Sequence, residues 1–408
     1  MSRGMADGPR VEVPPAGEGR AWAEAVVRHF HEDPLDERTR RCLEAVPVER
    51  RFVVRDGQRI VANAGVLPLE VSVPGGGTLP CAGVTTVGVA QTHRRRGLLR
   101  ALMRRVLDDA RERGEPVAGL FASESPIYPR FGFGPSVGLV SLRLERAHAR
   151  FVDPVPESLV EPVEEAQVPG RLAAIQAAAR RQRHGMVVRS PEMWRAWMQD
   201  GGYEPDTRLG PRRLVAVPGR GYAAYRVRGA WRDGLPDGLV QVDELLATDP
   251  EAEQALWQHV TDVDLTTGLE ALLRPEDDPL ALTLADPLRV RSTSLSPLYT
   301  CPLDIVRCLG ARAASADGSV AIAVTDPFGD QSGTLLLVAE AGELDASWTD
   351  ARPQLSMSKP VLAALWLGGH GAIRLQDARR LDEHEAGAVR RLDSMLATPR
   401  RPWTPFEF

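Results

Sequence analysis

The sequence predicts an α/β protein of three domains, in which mixed β-sheets are flanked by helices. Two helices and three strands precede a strand-to-helix turn in the first third of the chain, and a similar order of elements returns in the middle third. The length of 408 residues also exceeds the size of one typical hydrophobic core. We therefore predict domains at residues 1–150, 151–292 and 293–408.

The composition is that of a soluble globular protein, with 43% hydrophobic and 26% charged residues. The net charge is −5, whereas a nucleic-acid-binding protein typically has an excess of basic residues, so a general nucleic-acid-binding role is not expected. No apolar run approaches the roughly 20 residues that span a bilayer, and no signal peptide is recognisable, so we expect a cytoplasmic protein without membrane partners. Neither the histidines nor the four cysteines, Cys42, Cys81, Cys301 and Cys308, have metal-ligand spacing, which predicts no metal site.

The first domain begins with a loose tail to about residue 18, rich in Gly, Pro and charge. Trp22, Ala25, Val26 and Phe30 then fall on one helical face. Strand-like runs follow, separated by turn residues such as Asp56-Gly57. The predicted helices are 21–31 and 36–45, and the predicted strands are 51–55, 60–67, 69–73 and 78–81.

A strand-to-helix crossing at residues 84–100 organises this domain. Residues 84–89 are rich in valine, and Leu99, Leu102 and Met103 begin a helical repeat. The turn between them is Arg94-Arg95-Arg96-Gly97, where unpaired N–H groups and the positive end of the helix dipole meet arginines. These features predict a seat for a phosphate or pyrophosphate; the alternative is a solvated arginine run before an ordinary amphipathic helix.

The crossing, with a helix ending near Gly114 and a strand at 117–122, resembles the coenzyme A motif of the GCN5-related N-acetyltransferases (GNAT superfamily). The segment 123–135, Ser-Glu-Ser-Pro-Ile-Tyr-Pro-Arg-Phe-Gly-Phe-Gly-Pro, narrows the resemblance to the Eis (enhanced intracellular survival) family. One departure is Leu99, where the wider superfamily prefers Gly or Ala. The resemblance implies acetyl-CoA as co-substrate, with contacts at Val87, Gly88, Val89, Arg95, Arg96, Gly97, Leu98, Leu99, Arg100, Ser123 and Glu124.

The resemblance implies that Tyr128 is the proton donor to the departing thiolate. Pro126 suits the first turn of a short helix with Ser125 as its N-cap, which would present Tyr128 beyond the preceding strand. A phenol, with an ordinary pKa of about 10, can act as a general acid. The alternative is that Tyr128 only packs with Phe131 and Phe133. His93 is interpreted as a structural residue.

The chain ends in Trp403-Thr404-Pro405-Phe406-Glu407-Phe408, and so aromatic a segment predicts docking against the body of the protein. The resemblance implies that the terminal carboxylate of Phe408 enters the active site as the general base. A carboxyl group is a poor base in water, but desolvation raises its pKa. The alternative is a tail that only anchors the third domain.

The middle of the chain repeats the order of the first domain, but no Arg-x-x-Gly turn recurs between the predicted strand 239–247 and the predicted helix 250–261. We predict a second fold of the same kind without a coenzyme-binding site. Eis proteins have a degenerate repeat of this kind. Residues 139–144 are expected to finish the first domain. From residue 305 onward, short strands followed by helices resemble the sterol-carrier-like third domain of that family.

The predicted fold is therefore two tandem GNAT folds followed by a sterol-carrier-protein-like α/β domain. The predicted function is acetylation of primary amines of aminoglycosides or related polyamines, by direct transfer in a ternary complex. A covalent route is not favoured, because Ser123 and Ser125 lack a Gly-x-Ser-x-Gly elbow. The resemblance also implies a hexamer. Two alternatives stay open: a coenzyme A-binding sensor or scaffold without turnover, and an acyltransferase that uses protein lysines or other acyl-CoA donors.

Overall fold

The computed structural model describes residues 8–31, 37–164, 168–199, 209–329 and 331–408. The helices in these residues are α1 Gly19–Phe30, α2 Glu37–Glu44, α3 Leu98–Glu112, α4 Val168–Gln182, α5 Pro191–Gln199, α6 Pro250–Thr261, α7 Leu280–Thr283, α8 Ile305–Gly310, α9 Lys359–Trp366, α10 Ala372–Asp377 and α11 Ala388–Leu396. The strands are β1 Arg51–Asp56, β2 Arg59–Ser72, β3 Thr78–Val89, β4 Val117–Phe121, β5 Gly134–Val137, β6 Leu139–Glu145, β7 Glu161–Pro162, β8 Arg213–Val217, β9 Gly221–Arg228, β10 Trp231–Arg232, β11 Leu235–Pro236, β12 Gly238–Ala247, β13 Thr266–Pro275, β14 Arg291–Ser294, β15 Leu298–Pro302, β16 Gly318–Thr325, β17 Gly333–Glu340, β18 Glu343–Thr349, β19 Leu355–Ser358 and β20 Leu381–Glu383.

The first sheet runs in the order β1-β2-β3-β4-β15-β5 within the described ranges. Helices cover both of its faces, because successive side chains of a strand point to opposite sides. Phe52 and Val54 of β1 pack in the cluster beneath α3, whereas Val53 packs against Trp22 of α1. The predicted mixed α/β architecture of this domain is confirmed.

The predicted helices and strands of the first domain are largely confirmed, with one difference in β2. The two expected strands 60–67 and 69–73 form one strand, Arg59–Ser72. Pro68 is tolerated inside it because β1 pairs with β2 only as far as Gly65, so the missing N–H costs no ladder hydrogen bond on that edge. Part of the expected tail, residues 1–7, and the expected first residue of the second helix, Asp36, lie outside the described residues.

Strand β6 corrects the expectation that residues 139–144 finish the first domain. It pairs instead with β13 and β14 in a seven-stranded sheet of order β14-β6-β13-β12-β9-β8-β7, counted over the described residues. Conversely, β15, from the predicted third domain, lies between β4 and β5 in the first sheet. Hydrophobic alternation identifies the buried face of such strands but not the sheet that accepts them.

Of the other sheets in the part of the chain that is described, one is the pair β10-β11 and the other has the order β18-β17-β16-β19-β20. Lys359, the single lysine of the sequence, lies at the start of α9 with its side chain 1% exposed. Its Nζ lies 2.9 Å from Oδ2 of Asp326, so a buried ion pair ties α9 to the turn after β16. No helix among the described residues is both long and apolar enough to cross a membrane.

His184 lies after α4 and is hydrogen-bonded both to Leu367 and to Trp403 in the C-terminal segment. Its burial leads us to expect a loss of stability in acid. Its Nε2–H donates to the carbonyl oxygen of Leu367 at 2.6 Å, and its own carbonyl oxygen accepts from the Trp403 N–H at 2.9 Å. Burial lowers the pKa of the imidazole to about 4. The unfolded chain therefore takes up a proton below about pH 6.5 while the folded chain does not, so stability is complete above that pH and declines toward pH 4.

Between pH 7.5 and 5, we expect the wild-type protein to lose about 2 kcal/mol of unfolding free energy that the His184→Gln variant does not lose. Urea unfolding followed by tryptophan fluorescence at the two pH values measures this difference. His148→Gln, which alters a partly exposed histidine, is the matched control and should behave as the wild type. Equal pH dependence in the wild type and His184→Gln would contradict this assignment.

Candidate active site

The centre of the candidate site is a gap between β3 and β4, which we call the fork. The two strands pair in parallel only from Cys81 to Gly83 of β3, opposite residues 117–119 of β4. Beyond Gly83, β3 continues to Val89 without a partner on this edge among the described residues, while β2 still pairs with its other edge. Val87, Gly88 and Val89 therefore have main-chain groups available to an extended ligand.

A β-bulge at Thr86 shapes the open edge of β3. Thr86 has a φ of 54°, and the pairing of β2 with β3 shifts register between Asn63 and Gly65. The Asn63 side-chain amide donates to the carbonyl oxygen of Thr86, and Asn63 Oδ1 is hydrogen-bonded to Nδ1 of His29. A buried polar chain from α1 thus supports the bulge from behind.

The arginine turn follows β3 after the short 3-10 helix Gln91–His93 and has the geometry of an anion site. Arg95 and Gly97 both have positive φ, 63° and 79°, so the backbone forms a small concave surface of N–H groups. Gly97 is the N-cap of α3 and supplies no side-chain hydrogen bond to the first turn. Arg95, Arg96 and Arg100 are exposed around it, so the residues present fit a pyrophosphate.

The end of β4 lies close to this turn. Ser123 and Glu124 are exposed, and a carboxylate oxygen of Glu124 lies 3.5 Å from a guanidinium nitrogen of Arg94. Leu98 is buried, and Leu99 packs partly buried against the cluster under α3. The structure therefore brings together, around one fork, the residues that the sequence analysis assigned to the coenzyme.

Tyr128 lies just beyond β4, in the 3-10 helix Ser125–Phe131. The N-cap of this helix is Glu124, without a side-chain hydrogen bond, which corrects the expected cap at Ser125. The Tyr128 ring is 8% exposed and meets the Phe133 ring edge-on at 6.1 Å. Burial, followed by the negative charge of Glu124, raises the pKa of the Tyr128 phenol. The phenol therefore keeps its proton, while its catalytic role stays a prediction.

The C-terminal segment docks onto the body of the protein, as its composition predicts. A Cβ added at Gly83 would lie 3.1 Å from the Phe408 ring, and one added at Gly119 would lie 3.7 Å from it. These glycines form the last pair of β3 with β4, so the Phe408 ring lies over the apex of the fork. The ring also meets Phe121 edge-on at 5.4 Å. A side chain at Gly83 would crowd this ring, whereas one at Gly119 would make only an ordinary van der Waals contact with it.

The third domain also contacts the site through Phe328, a residue that sequence reasoning missed. Phe328, 3% exposed, meets the ring of Phe131 edge-on at 5.2 Å. The guanidinium groups of Arg100 and Arg104 lie 5.2 and 4.3 Å from the centre of the Phe328 ring. One aromatic side chain therefore braces both the helix that carries Tyr128 and the first turns of α3.

His93 has the contacts of a structural residue. Its Nε2 lies 3.1 Å from Asp56, and its Nδ1 lies 2.8 Å from the Thr92 hydroxyl. Among the described residues, no group of three or more His, Cys, Asp or Glu side chains could hold a metal ion. Sequence reasoning also missed His29 and Asn63. The signal that could have found them is Asn63 itself, a polar residue inside an apolar strand.

Comparison with known proteins identifies the three parts of the chain. Residues 15–136 and 185–307 each match an acetyltransferase (GNAT) domain, and residues 305–405 match a sterol carrier protein domain. An uncharacterized N-acetyltransferase of Streptomyces coelicolor is 34% identical over 403 residues, covering 95% of this chain and 97% of the relative. N-acetyltransferase Eis of Mycobacterium tuberculosis is 33% identical over 380 residues, covering 89% and 90%.

The chain belongs to the Eis family of GCN5-related N-acetyltransferases. The crystal structure of Eis1 from Mycobacterium abscessus agrees with a TM-score of 0.85 at 29% identity, covering 98% of this chain and all (100%) of that one. The prediction of tandem GNAT folds followed by a sterol-carrier-like domain is confirmed, as is that of an N-acetyltransferase. The GNAT domains imply the use of acetyl-CoA.

The second GNAT domain of this Eis-family protein has a fork of its own, but side chains narrow it. Strands β12 and β13 pair in parallel from Gly238 to Val242 and then part. The Arg274 guanidinium donates to the carbonyl oxygen of Leu245 beyond that point, and lies 5.1 Å from the Trp403 ring. The side chains of Arg274 and Trp403 therefore narrow the space between these strands.

The helix after β12 also has the wrong charge for a pyrophosphate. Asp249 is the N-cap of α6 and accepts from the Ala252 N–H at 3.0 Å, and Glu251 and Glu253 lie in the first turn. Carboxylates thus occupy the position that arginines have at the start of α3, and they repel phosphate.

We expect one coenzyme A per chain by isothermal titration calorimetry. Arg96→Ala should raise the dissociation constant about tenfold, because it removes a charge-assisted contact to the pyrophosphate. The matched control is Arg220→Ala at the second helix start, where Arg220 pairs with Asp249 and Glu251, and binding should not change. Two coenzymes per chain, or equal weakening by both substitutions, would contradict the assignment.

Proposed function

We propose that this protein transfers the acetyl group of acetyl-CoA directly to a primary amine of an aminoglycoside or related polyamine, within a ternary complex. The observation that carries the proposal is the convergence at one fork of the open β3 edge, the arginine turn and the Phe408 ring. The family assignment supports the same reaction class.

The open edge and the arginine turn divide the binding of the coenzyme between them. The main chain of residues 87–89 holds the acyl and pantetheine parts by strand-like hydrogen bonds. The pyrophosphate is bound by Arg95, Arg96 and Arg100, together with the amides that follow Gly97. The solvent exposure of these arginines and the positive φ of Gly97 support this division.

The two ends of the reaction are served by different groups. The terminal carboxylate of Phe408 takes a proton from the substrate ammonium, and the resulting amine attacks the thioester carbonyl. A C–N bond forms and the C–S bond breaks, while Tyr128 gives its proton to the departing sulfur. The nitrogen then loses its second proton to solvent, and solvent returns a proton to Tyr128. The contacts of the Phe408 ring with Phe121 and Phe406 support the placement of this chain end beside the fork. Ser123 and Glu124 add coenzyme contacts at the end of β4.

We also propose that the protein works in the cytoplasm as a homo-oligomer, a hexamer as the family resemblance implies. Its functional units are the catalytic domain 1–150, the second GNAT-like domain 151–292 and the domain 293–408 that carries the terminal carboxylate. These bounds divide the chain by sequence, since β6 pairs in the second sheet and β15 in the first.

The test mixes the purified protein with acetyl-CoA and either kanamycin or a polyamine, and follows free thiol with a disulfide reagent. We expect thiol release that depends on the amine, and an acetylated amine by mass spectrometry. Coenzyme binding without thiol release over a broad amine panel would instead indicate a sensor or scaffold. Faster turnover with longer acyl donors, or with lysine peptides, would indicate an acyltransferase of different specificity.

A further inference from the structure

We propose that Arg189 of the second GNAT domain is a positioning residue that holds the C-terminal segment over the fork through Phe406. The inference rests on the proposed function, because it concerns how the terminal carboxylate is placed. It assigns the second domain a part in the reaction although that domain has no coenzyme seat of its own.

Arg189 is itself rigidly held. Its guanidinium donates to both carboxylate oxygens of Glu244 on β12, at 3.1 and 2.7 Å, and both side chains are 1% exposed. The Tyr222 hydroxyl donates to the same carboxylate. A planar guanidinium with a bidentate partner cannot rotate freely, so its faces point in fixed directions.

The faces of this guanidinium are covered by aromatic rings. The Arg189 carbon Cζ lies 4.8 Å from the ring centre of Trp194, 5.1 Å from that of Trp197 and 5.6 Å from that of Phe406. The two tryptophans belong to α5 of the same domain, whereas Phe406 belongs to the C-terminal segment. A desolvated cation over an aromatic face provides a directional attachment.

Phe406 connects Arg189 to the last residue of the chain through a ring contact. Its ring is stacked on that of Phe408, with 6.2 Å between the ring centres and 28° between the planes. Phe408 in turn lies against Phe121 and over the apex of the fork. A continuous series of contacts therefore runs from the second sheet to the coenzyme site of the first.

The segment that precedes Arg189 fixes its register against the first sheet. The Val188 N–H donates to the carbonyl oxygen of Glu70 on β2 at 2.9 Å, and the Ser72 N–H donates to that of Met186 at the same distance. The Thr404 hydroxyl, buried beside this segment, accepts from the Val187 N–H at 3.5 Å. Arg189 is thus located relative to both the fork and the C-terminal segment.

The experiment is a double-mutant cycle between Arg189→Lys and a chain that ends at Pro405. In the full chain, Arg189→Lys keeps the charge but loses the bidentate plane, and we expect kcat to fall about tenfold with the KM for acetyl-CoA unchanged. In the shortened chain, which lacks the group that Arg189 positions, the same substitution should change kcat by less than about twofold.

Two further variants separate positioning from folding. Phe406→Leu leaves the Arg189–Glu244 pair intact and should lower kcat about tenfold, whereas Phe406→Tyr keeps the aromatic face and should retain wild-type kcat. Arg226→Lys alters another arginine–carboxylate pair of the same sheet, with Asp243, and should stay within about twofold of wild type.

The outcomes distinguish this inference from the proposed function. If Arg189→Lys costs the same factor in the full and the shortened chain, Arg189 is only structural and the inference is overturned, while the proposed function stands. If shortening the chain to Pro405 leaves kcat unchanged, the base role of Phe408 fails, and the inference fails with it. Loss of the Arg189 effect in a shortened chain of reduced kcat supports both.

Discussion

Tyr128→Phe should lower kcat for amine acetylation by about 100-fold or more, while the dissociation constant for coenzyme A stays unchanged. The substitution removes one hydroxyl and keeps the ring that meets Phe133 edge-on, so the aromatic packing beyond β4 is retained. Without the phenol, sulfur must leave as an unprotonated thiolate. Thiol release under saturating substrates measures the loss.

The matched control for this prediction is Tyr225→Phe, which removes a tyrosine hydroxyl in the second sheet, 3.2 Å from His259. It should keep kcat within about twofold of wild type. Because burial and the Glu124 charge raise the pKa of Tyr128, the donor keeps its proton to higher pH than an ordinary tyrosine. The wild-type kcat should therefore show no alkaline decline below about pH 10. An active Tyr128→Phe variant would assign the ring a packing role alone.

Extension of the chain by one glycine after Phe408 should lower kcat by about 100-fold, because it moves the terminal carboxylate away from its position while leaving every side chain in place. The Phe408 ring can still lie over Gly83 and Gly119, so the KM for acetyl-CoA should change little. Initial rates of the purified extended protein measure the effect.

Phe408→Leu is the companion variant, because it keeps a terminal carboxylate at residue 408 but loses the edge contact with Phe121. We expect an intermediate loss of about tenfold in kcat. If the extended chain turns over as fast as the wild type, the C-terminal segment serves only to anchor the third domain.

Much of the fold follows from local sequence patterns. Helix α6 occupies residues 250–261 as predicted, because Asp249 provides an N-cap and Pro250 suits the first turn. The β8–β9 hairpin and the arginine turn are likewise determined by neighbours in the chain. The exchange of β6 and β15 between sheets could not be predicted, because sheet membership depends on partners more than a hundred residues away.

The candidate site likewise contains some residues that the sequence indicated and some contacts that it could not. Turn chemistry, which is a property of adjacent residues, indicated Gly97, whereas Tyr128 was assigned from the resemblance of residues 123–135 to the Eis family. The contacts of Phe328 with Arg100 and of Arg189 with Phe406 have no local signature. Both contacts lie between domains, and the relative placement of domains cannot be read from a single sequence. The bulge at Thr86 is intermediate, because Asn63 marks it with one polar residue in an apolar strand.

The position of β15 between β4 and β5 has a consequence for biosynthesis. When a nascent chain has emerged from the ribosome as far as Val137, it still lacks β15, the strand that lies between β4 and β5. The first sheet can be completed only once Leu298–Pro302 has emerged, late in translation. Until then the edges of β4 and β5 that face β15 stay unpaired, and unpaired strand edges favour aggregation.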